Sequence, residues 1–301
     1  MTGNLSELIG GIWYCDGWDP NLKIFHRIKR TLFKDASRYQ NIEVVETHDF
    51  GRMLVIDGLP QAAETDEMVY AKAISWPAVL GVRREKRVLI TGGGDGHVAR
   101  EVLRFPSVTS VTICDIDPLV SEVTQKYMPF MWKGAVSDPR LRLLHDDAIG
   151  FLENAEPSSF DVIISDITDP TGERSASHHL YSTRYFDAIK RTLRDGGVCV
   201  VQAQELSVKD MKHHMRLRRR VEEAFPAVRS AYVYVPSFGY PEGFILAADD
   251  RRSVELEPHE VATELRRAEL TDDGFFDAAV YAAMFVLPPL VRLELTRTTP
   301  R

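Results

Sequence analysis

Apolar and polar positions follow two different rhythms along this chain, and the change falls near residue 75. Between residues 23 and 63 come short β-rich runs broken by turns. Runs 42–47 and 52–56 flank Asp49-Phe50-Gly51, and Asp57-Gly58 turns the chain once more. Such runs predict a small antiparallel sheet. Residues 67–80 carry the pattern of a connecting helix. From residue 87 onward strands and helices alternate. Extended segments are expected at 88–90, 108–115, 141–145, 160–166 and 198–201, with helices ending near 103 and spanning 118–127, 148–154 and 181–194. Gly196-Gly197 should stop the last of these helices. Two further strands are expected at 229–235 and 244–247. Continuous apolar strands separated by helices predict a parallel sheet covered on both faces. The fold class is therefore α/β, a doubly wound sheet over residues 76–301 behind a small β-rich domain over residues 1–75.

Charge narrows the partners. The 301 residues carry 37 Lys and Arg against 44 Asp and Glu, a formal net charge of −7. That field argues against nucleic acid or an anionic membrane surface as partner. Cys15, Cys114 and Cys199 are far apart and show no metal-ligand spacing, which fits a reducing compartment and predicts neither a disulfide framework nor a metal site. The N-terminus lacks a basic segment followed by an apolar one, and no apolar run approaches the roughly 20 residues of a membrane span. The expectation is a soluble, cytoplasmic protein. The basic stretch 209–220 reads as a solvated helix face with Met211, Met215 and Leu217 turned partly inward, since no aromatic residues interleave with its charges. His213 and His214 are adjacent, so one helix side cannot aim both at one metal.

Candidate chemistry begins at Thr91-Gly-Gly-Gly-Asp-Gly-His97, between a strand and a helix. Glycines there allow a tight turn and close approach of a ligand to the helix N-terminus. The spacing Gly92, Gly94, Gly96 is G-x-G-x-G rather than the G-x-G-x-x-G of dinucleotide sites, because His97 occupies the sixth position. This pattern suits cofactors of the S-adenosylmethionine type. The next strand ends in Asp115-Ile116-Asp117, beside the glycine loop at the ligand crevice of a doubly wound sheet. A carboxylate at 115 can accept both ribose hydroxyls, and Asp147 follows the next strand at a place to reach the adenine amino group. Ser165-Asp166-Ile167-Thr168-Asp169 puts two acids three residues apart at a strand end. A sulfonium needs no activation as a leaving group, whereas an ammonium or phenol acceptor must lose a proton before it attacks. A carboxylate that takes that proton, backed by a second that holds the acceptor, meets the need.

With these motifs in place the sequence resembles the polyamine aminopropyltransferase (spermidine synthase) family over roughly residues 13–248. The shared residues include Trp13-Tyr14, Arg38-Tyr39-Gln40, the run from Phe50 to Gly58, Glu64-Thr65-Asp66-Glu67, Gly92 to Gly96, Arg100 to Leu103 and Asp166 to Pro170. The resemblance implies a Rossmann-like S-adenosylmethionine-binding catalytic domain, a small β-rich N-terminal domain, and a homodimer or homotetramer. It implies that Gln40, Asp115, Asp147 and Ala148 hold the donor nucleoside, Asp95 the donor amino group, Asp166 the general-base role and Asp169 the acceptor or the donor tail. Charge supports the Asp95 assignment separately, since a carboxylate in the loop repels phosphate and suits a cationic amine.

The departures gather on the acceptor side. Tyr70 is followed by Ala71 rather than His or Gln, Gln202-Ala203-Gln204 stands where Gln-x-Glu is usual, and Phe238 stands where a Tyr is usual. Each removes an acid or hydrogen-bonding group that a dication would use. The loop after Asp169-Pro170 reads Gly172-Glu-Arg-Ser-Ala-Ser-His-His179, and Arg174, His97, His178 or His179 offer a partner for a donor carboxylate. Tyr70, Asp169, Arg174, Gln202 and Phe238 are the expected acceptor-side residues. These departures lead to the expectation of 3-amino-3-carboxypropyl transfer from S-adenosylmethionine to a phenol or other non-polyamine small molecule of antibiotic metabolism, as in transferases of the isonocardicin synthase type. The alternative is aminopropyl transfer from decarboxylated S-adenosylmethionine to putrescine. Either way the adenosyl sulfonium is a co-substrate and no metal takes part.

Overall fold

A computed structural model describes residues 10–17, 19, 21–168, 178–271 and 274–296. Five antiparallel strands pair in chain order: β1 (Ile12–Cys15), β2 (Phe25–Ala36), β3 (Asn41–Thr47), β4 (Arg52–Ile56) and β5 (Leu59–Ala63). Because strand side chains alternate, Ile42, Val44, Leu54 and Ile56 join the main core. Val45, Met53, Val55 and Ala63, on the opposite face, make a separate cluster.

The second sheet contains β6 (Lys86–Gly92), β7 (Val108–Asp115), β8 (Leu141–His145), β9 (Phe160–Asp166), β10 (Leu193–Glu205), β11 (Ala227–Val235) and β12 (Tyr240–Ala248). Their spatial order is β11-β12-β10-β9-β6-β7-β8, so the order reverses at β6 and opens a crevice there. The first five strands run parallel. The expectation of a parallel sheet is corrected at one edge, where β12 runs antiparallel to both β10 and β11. The link from Val235 to Tyr240 is a tight hairpin, and a parallel neighbour would need a crossover of a dozen or more residues.

Helix α1 (Glu67–Gly81) is buried on almost every side and packs on β9, β10 and β11. The expected boundary between residues 75 and 76 falls inside it. The remaining helices are α2 (His97–Leu103), α3 (Pro118–Tyr127), α4 (Ala148–Asn154), α5 (Thr183–Thr192), α6 (Lys212–Ala224), α7 (Pro258–Arg267), α8 (Ala278–Met284) and α9 (Pro289–Thr296). Helix α5 stops at Thr192 rather than continuing to 194, because buried Leu193 pairs with Phe160 and starts β10. The basic stretch lies on α6, but His214 is not on its wet face. It lines up with Leu217 and Val221 at i, i+3 and i+7 on the buried side, and its Nε2 lies 2.8 Å from Ser230 Oγ.

One ion cluster locks α1 to α2. The Arg100 guanidinium donates to both oxygens of Glu67 (2.9 and 2.8 Å), to Glu101 (2.9 Å) and to the Phe130 carbonyl (2.9 Å), all with little exposure. Removing one member of a buried pair leaves the other charge without compensation. Arg100→Met is therefore expected to lower the free energy of unfolding by about 3 kcal/mol or more, read as a drop in the urea midpoint at constant slope. A midpoint unchanged from the parent would show that the cluster contributes nothing net.

Candidate active site

The site is built where β6 meets β9. Gly92 pairs with Asp166 in that ladder, and the Gly93 N–H donates to the Asp166 carbonyl at 2.9 Å. A Cβ at Gly92 would stand 2.0 Å from that carbonyl oxygen, and one at Gly94 would stand 2.7 Å from the Asp115 carboxylate. Only glycine fits at either place. The Gly94 N–H donates to Asp115 Oδ2 (2.9 Å) and the Asp117 N–H to Asp115 Oδ1 (2.8 Å). Gly96 seats against the Trp132 ring at the start of α2.

Gln40, from the β2–β3 turn, is brought to this crevice by a residue given no role in the sequence reading. Its amide donates to Asp117 Oδ2 at 2.9 Å, Ser37 Oγ donates to the same oxygen at 2.6 Å, and Asp117 Oδ1 caps α3 through the Leu119 N–H. Gln40, Gly92, Gly94, Asp95, Asp115 and Asp166 all line one cavity. Asp147 and Ala148 do not line it. Asp147 stands at the end of β8 and caps α4 by accepting the Gly150 N–H at 2.8 Å.

Two carboxylates converge deeper in the cavity. Asp166 Oδ1 accepts the Tyr70 hydroxyl at 2.6 Å. Asp95 is 9% exposed, and among the described residues nothing donates a hydrogen bond to its Oδ1. Burial first, and the neighbouring acids second, push the Asp95 carboxyl up to about 7 and that of Asp166 up to about 6. The Asp115 carboxyl is also raised, mainly by burial. His97 is 1% exposed, stacks on Tyr70 with ring centroids 5.5 Å apart, and lies 3.7 Å from Asp95 Oδ2 and from Glu67 Oε2. Burial pushes its pKa below the usual imidazole value despite the acids around it, so at neutral pH it is uncharged. Asp95, His97 and Asp166 each bring one ligand atom within 4.8 Å of the others, a spacing that suits a cationic nitrogen between them.

The acceptor wall is more acidic than the sequence suggested. Phe238 sits edge-on to Tyr70, and the Gln202 amide donates to Glu242 Oε1 at 2.9 Å. Glu242 and Asp16, which sequence reasoning passed over, are 1% and 4% exposed and line the cavity beside Gln202 and Phe238. The visible signal for Glu242 was an acid two residues before an apolar strand run; Asp16 gave none beyond following Trp13-Tyr14-Cys15. Gln204 is turned away from this lining, with its Oε1 buried and unbonded. Asp169 and Arg174, and the side chains of His178 and His179, lie outside the described residues.

This fold is that of the spermidine synthases, and the chain belongs to that family. Residues 67–256 match the spermine/spermidine synthase domain, and residues 12–64 match the spermidine synthase tetramerisation domain. The chain is 34% identical to a polyamine aminopropyltransferase of Aeropyrum pernix, covering 95% of this chain and 91% of that one. It is 34% identical to polyamine aminopropyltransferase 2 of Pseudomonas aeruginosa, over 98% and 84%. The spermidine synthase of Thermotoga maritima superposes with a TM-score of 0.86 at 26% identity, over 95% and 94% of the two chains. A spermidine synthase solved with the transition-state analogue AdoDATO gives the same TM-score and identity, over 94% of each chain.

The raised carboxyls have a thermodynamic consequence. An acid with a higher pKa when folded holds its proton more tightly in the folded chain, so folding stability falls as pH rises from about 4 through about 7. Asp95→Asn is expected to raise the melting temperature of the ligand-free protein at pH 8, by roughly 2 kcal/mol in stability terms. The gain should shrink as the pH is lowered toward 5. Calorimetric scans across that range check it, and a gain independent of pH would contradict the charge argument.

Proposed function

We propose that this enzyme transfers an aminopropyl group from decarboxylated S-adenosylmethionine to an amine, with putrescine as the reference acceptor. The observation that carries this reading is the sign of the cavity. Among the described residues it is lined by Asp16, Asp95, Asp115, Asp166 and Glu242, and by no lysine or arginine. A sulfonium donor with a free ammonium, and an acceptor that arrives as an ammonium, are both matched to such a lining. Among those described residues a donor carboxylate would find no lysine or arginine to pair with. The names of the relatives point the same way.

The residues then divide the work. Asp115 and Gln40 hold the nucleoside, the unbonded Asp95 oxygen takes the donor ammonium, and Asp166 takes a proton from the acceptor ammonium. The freed amine attacks the carbon next to sulfur. A C–N bond forms as the C–S bond breaks, and the electron pair leaves on sulfur as a neutral thioether. With its carboxyl raised to about 6, Asp166 is ionised at neutral pH and more basic than an ordinary aspartate. The Tyr70 hydroxyl stabilises its charged form. The N-terminal sheet, with Ile12 and Phe25 64% and 55% exposed, is the element through which copies assemble into a dimer or tetramer.

A second reading has one observation in its favour. Gln204 and Phe238 stand where an acid and a hydroxyl group are usual, and neutral His97 offers an N–H beside Asp95. That combination suits S-adenosylmethionine itself as donor and 3-amino-3-carboxypropyl transfer to a phenol. Asp16 and Glu242 weigh against it, since they restore the acid that those replacements remove.

Incubating the protein with each donor, with putrescine or a phenol, and weighing the product separates the two. Aminopropyl-putrescine from the decarboxylated donor is the expected result; a carboxyl-bearing adduct from S-adenosylmethionine alone would replace the first reading by the second. Asp166→Asn should lower kcat by ~10²- to 10⁴-fold, and the parent kcat should rise with pH through about 6. A variant as fast as the parent would remove Asp166 as the base.

A further inference from the structure

We propose that the acceptor site continues past Glu242 into a second chamber, which takes the far end of an amine longer and more apolar than a four-carbon diamine. This rests on reading the catalytic cavity as an amine-acceptor site. Asp16 and Tyr240 line both spaces, so the chamber begins where the acceptor wall ends. The catalytic cavity must also receive the donor's three-carbon arm, and the chamber adds about 220 Å³ of free volume beside it. Leu22, Ile24 and Pro241 give the chamber apolar walls, and Asp19, Glu205 and Lys209 give it a polar end.

A β-bulge supplies that end. In an unbroken strand Gln202 and Gln204 share one face and Glu205 points to the other. Here Gln202 pairs with Phe244 but Glu205 pairs with Glu242, so one extra residue is absorbed between them, with Gln204 at φ +60°. Phe244 and Glu242 share a face, so the slip brings Glu205 to the cavity side. The acid absent at position 204 thus reappears one residue on, beyond the catalytic cavity. Glu205 is 5% exposed, accepts the Ser207 hydroxyl at 2.5 Å and lies 3.4 Å from Lys209 Nζ. Lys209 also pairs with Asp19 at 2.7 Å. With Asp16 the chamber holds three carboxylates against one ammonium, a net negative end suited to a second amine. An acceptor reaching from Asp166 to Glu205 would lay an apolar middle on Ile24, Leu22 and Pro241.

The test is a length series of α,ω-diamines, from putrescine to 1,8-diaminooctane, assayed with the decarboxylated donor and titrated calorimetrically. The longer diamines are expected to exceed putrescine in kcat/KM by at least about tenfold. Ile24→Trp, which fills the chamber, should bring that ratio down to about one, and Glu205→Gln should lower it severalfold. Turnover of putrescine with no gain for longer diamines overturns the chamber and leaves the aminopropyl reading standing. Should no diamine be alkylated, the aminopropyl reading falls. The chamber is then judged by binding alone: about tenfold weaker binding of 1,8-diaminooctane by Ile24→Trp supports it, and equal binding overturns it.

Discussion

The contact on which the site depends is between two backbones. Gly92 and Asp166 lie side by side at the ends of β6 and β9, so close that a single methyl group at position 92 would collide with the Asp166 carbonyl. The ladder fixes where Asp166 begins, and the turn that Gly93 makes against it fixes where Asp95 ends up. Below the contact, the buried Tyr185 hydroxyl bridges Thr91 Oγ1 (2.6 Å) and Ser165 Oγ (2.9 Å), tying the same two strands one residue earlier. Asp95 and Asp166 are therefore set by one rigid strand pair rather than by two loops. Rigid support of this kind is what keeps reacting groups within a fraction of an ångström of their working positions.

Bringing those acids together costs folding free energy, and the upward displacement of the Asp95 and Asp166 carboxyls is its measure. The chain tolerates the cost because the surrounding structure is over-determined. Arg100 holds α1 to α2 through Glu67, and Asp66 accepts the Ser237 N–H (2.7 Å) and hydroxyl (3.0 Å), fastening the β11–β12 turn over the same helix. A cation placed between the two acids would relieve that cost.

Much of this was legible in the sequence, and the limit of legibility has a physical form. Strands 108–115, 141–145 and 160–166 and helices 118–127 and 148–154 could be read because hydrophobic period and terminal signals agree there. Asp115 and Asp166 could be read as crevice residues because each closes an apolar strand. What depends on register or on distant pairing could not. The Gln40–Asp117 bond joins residues from different sheets, and Glu242 reaches the cavity only through a hairpin of antiparallel strands. The bulge at Gln204 is a slip of one residue, which leaves no mark on composition and reverses the face of every side chain after it. His214 looked like part of a charged run because its neighbours in sequence are basic, yet its neighbours in space are Ser230 and the strands of the sheet.

The same distinction bears on how the cavity keeps its charge. Arg100 is close enough to Asp95 to contribute to its electrostatics, and a free guanidinium there would neutralise that carboxylate. It does not, because it donates to Glu67, to Glu101 and to the Phe130 carbonyl, none of which lines the cavity. His97 completes the separation. Its ring fills the space between Glu67 and Asp95, stacked on Tyr70, and burial keeps it neutral where a protonated imidazole would cancel one of the two working carboxylates. The Arg100–Glu67 ion pair and the Asp95 carboxylate thus stand on opposite sides of one uncharged ring.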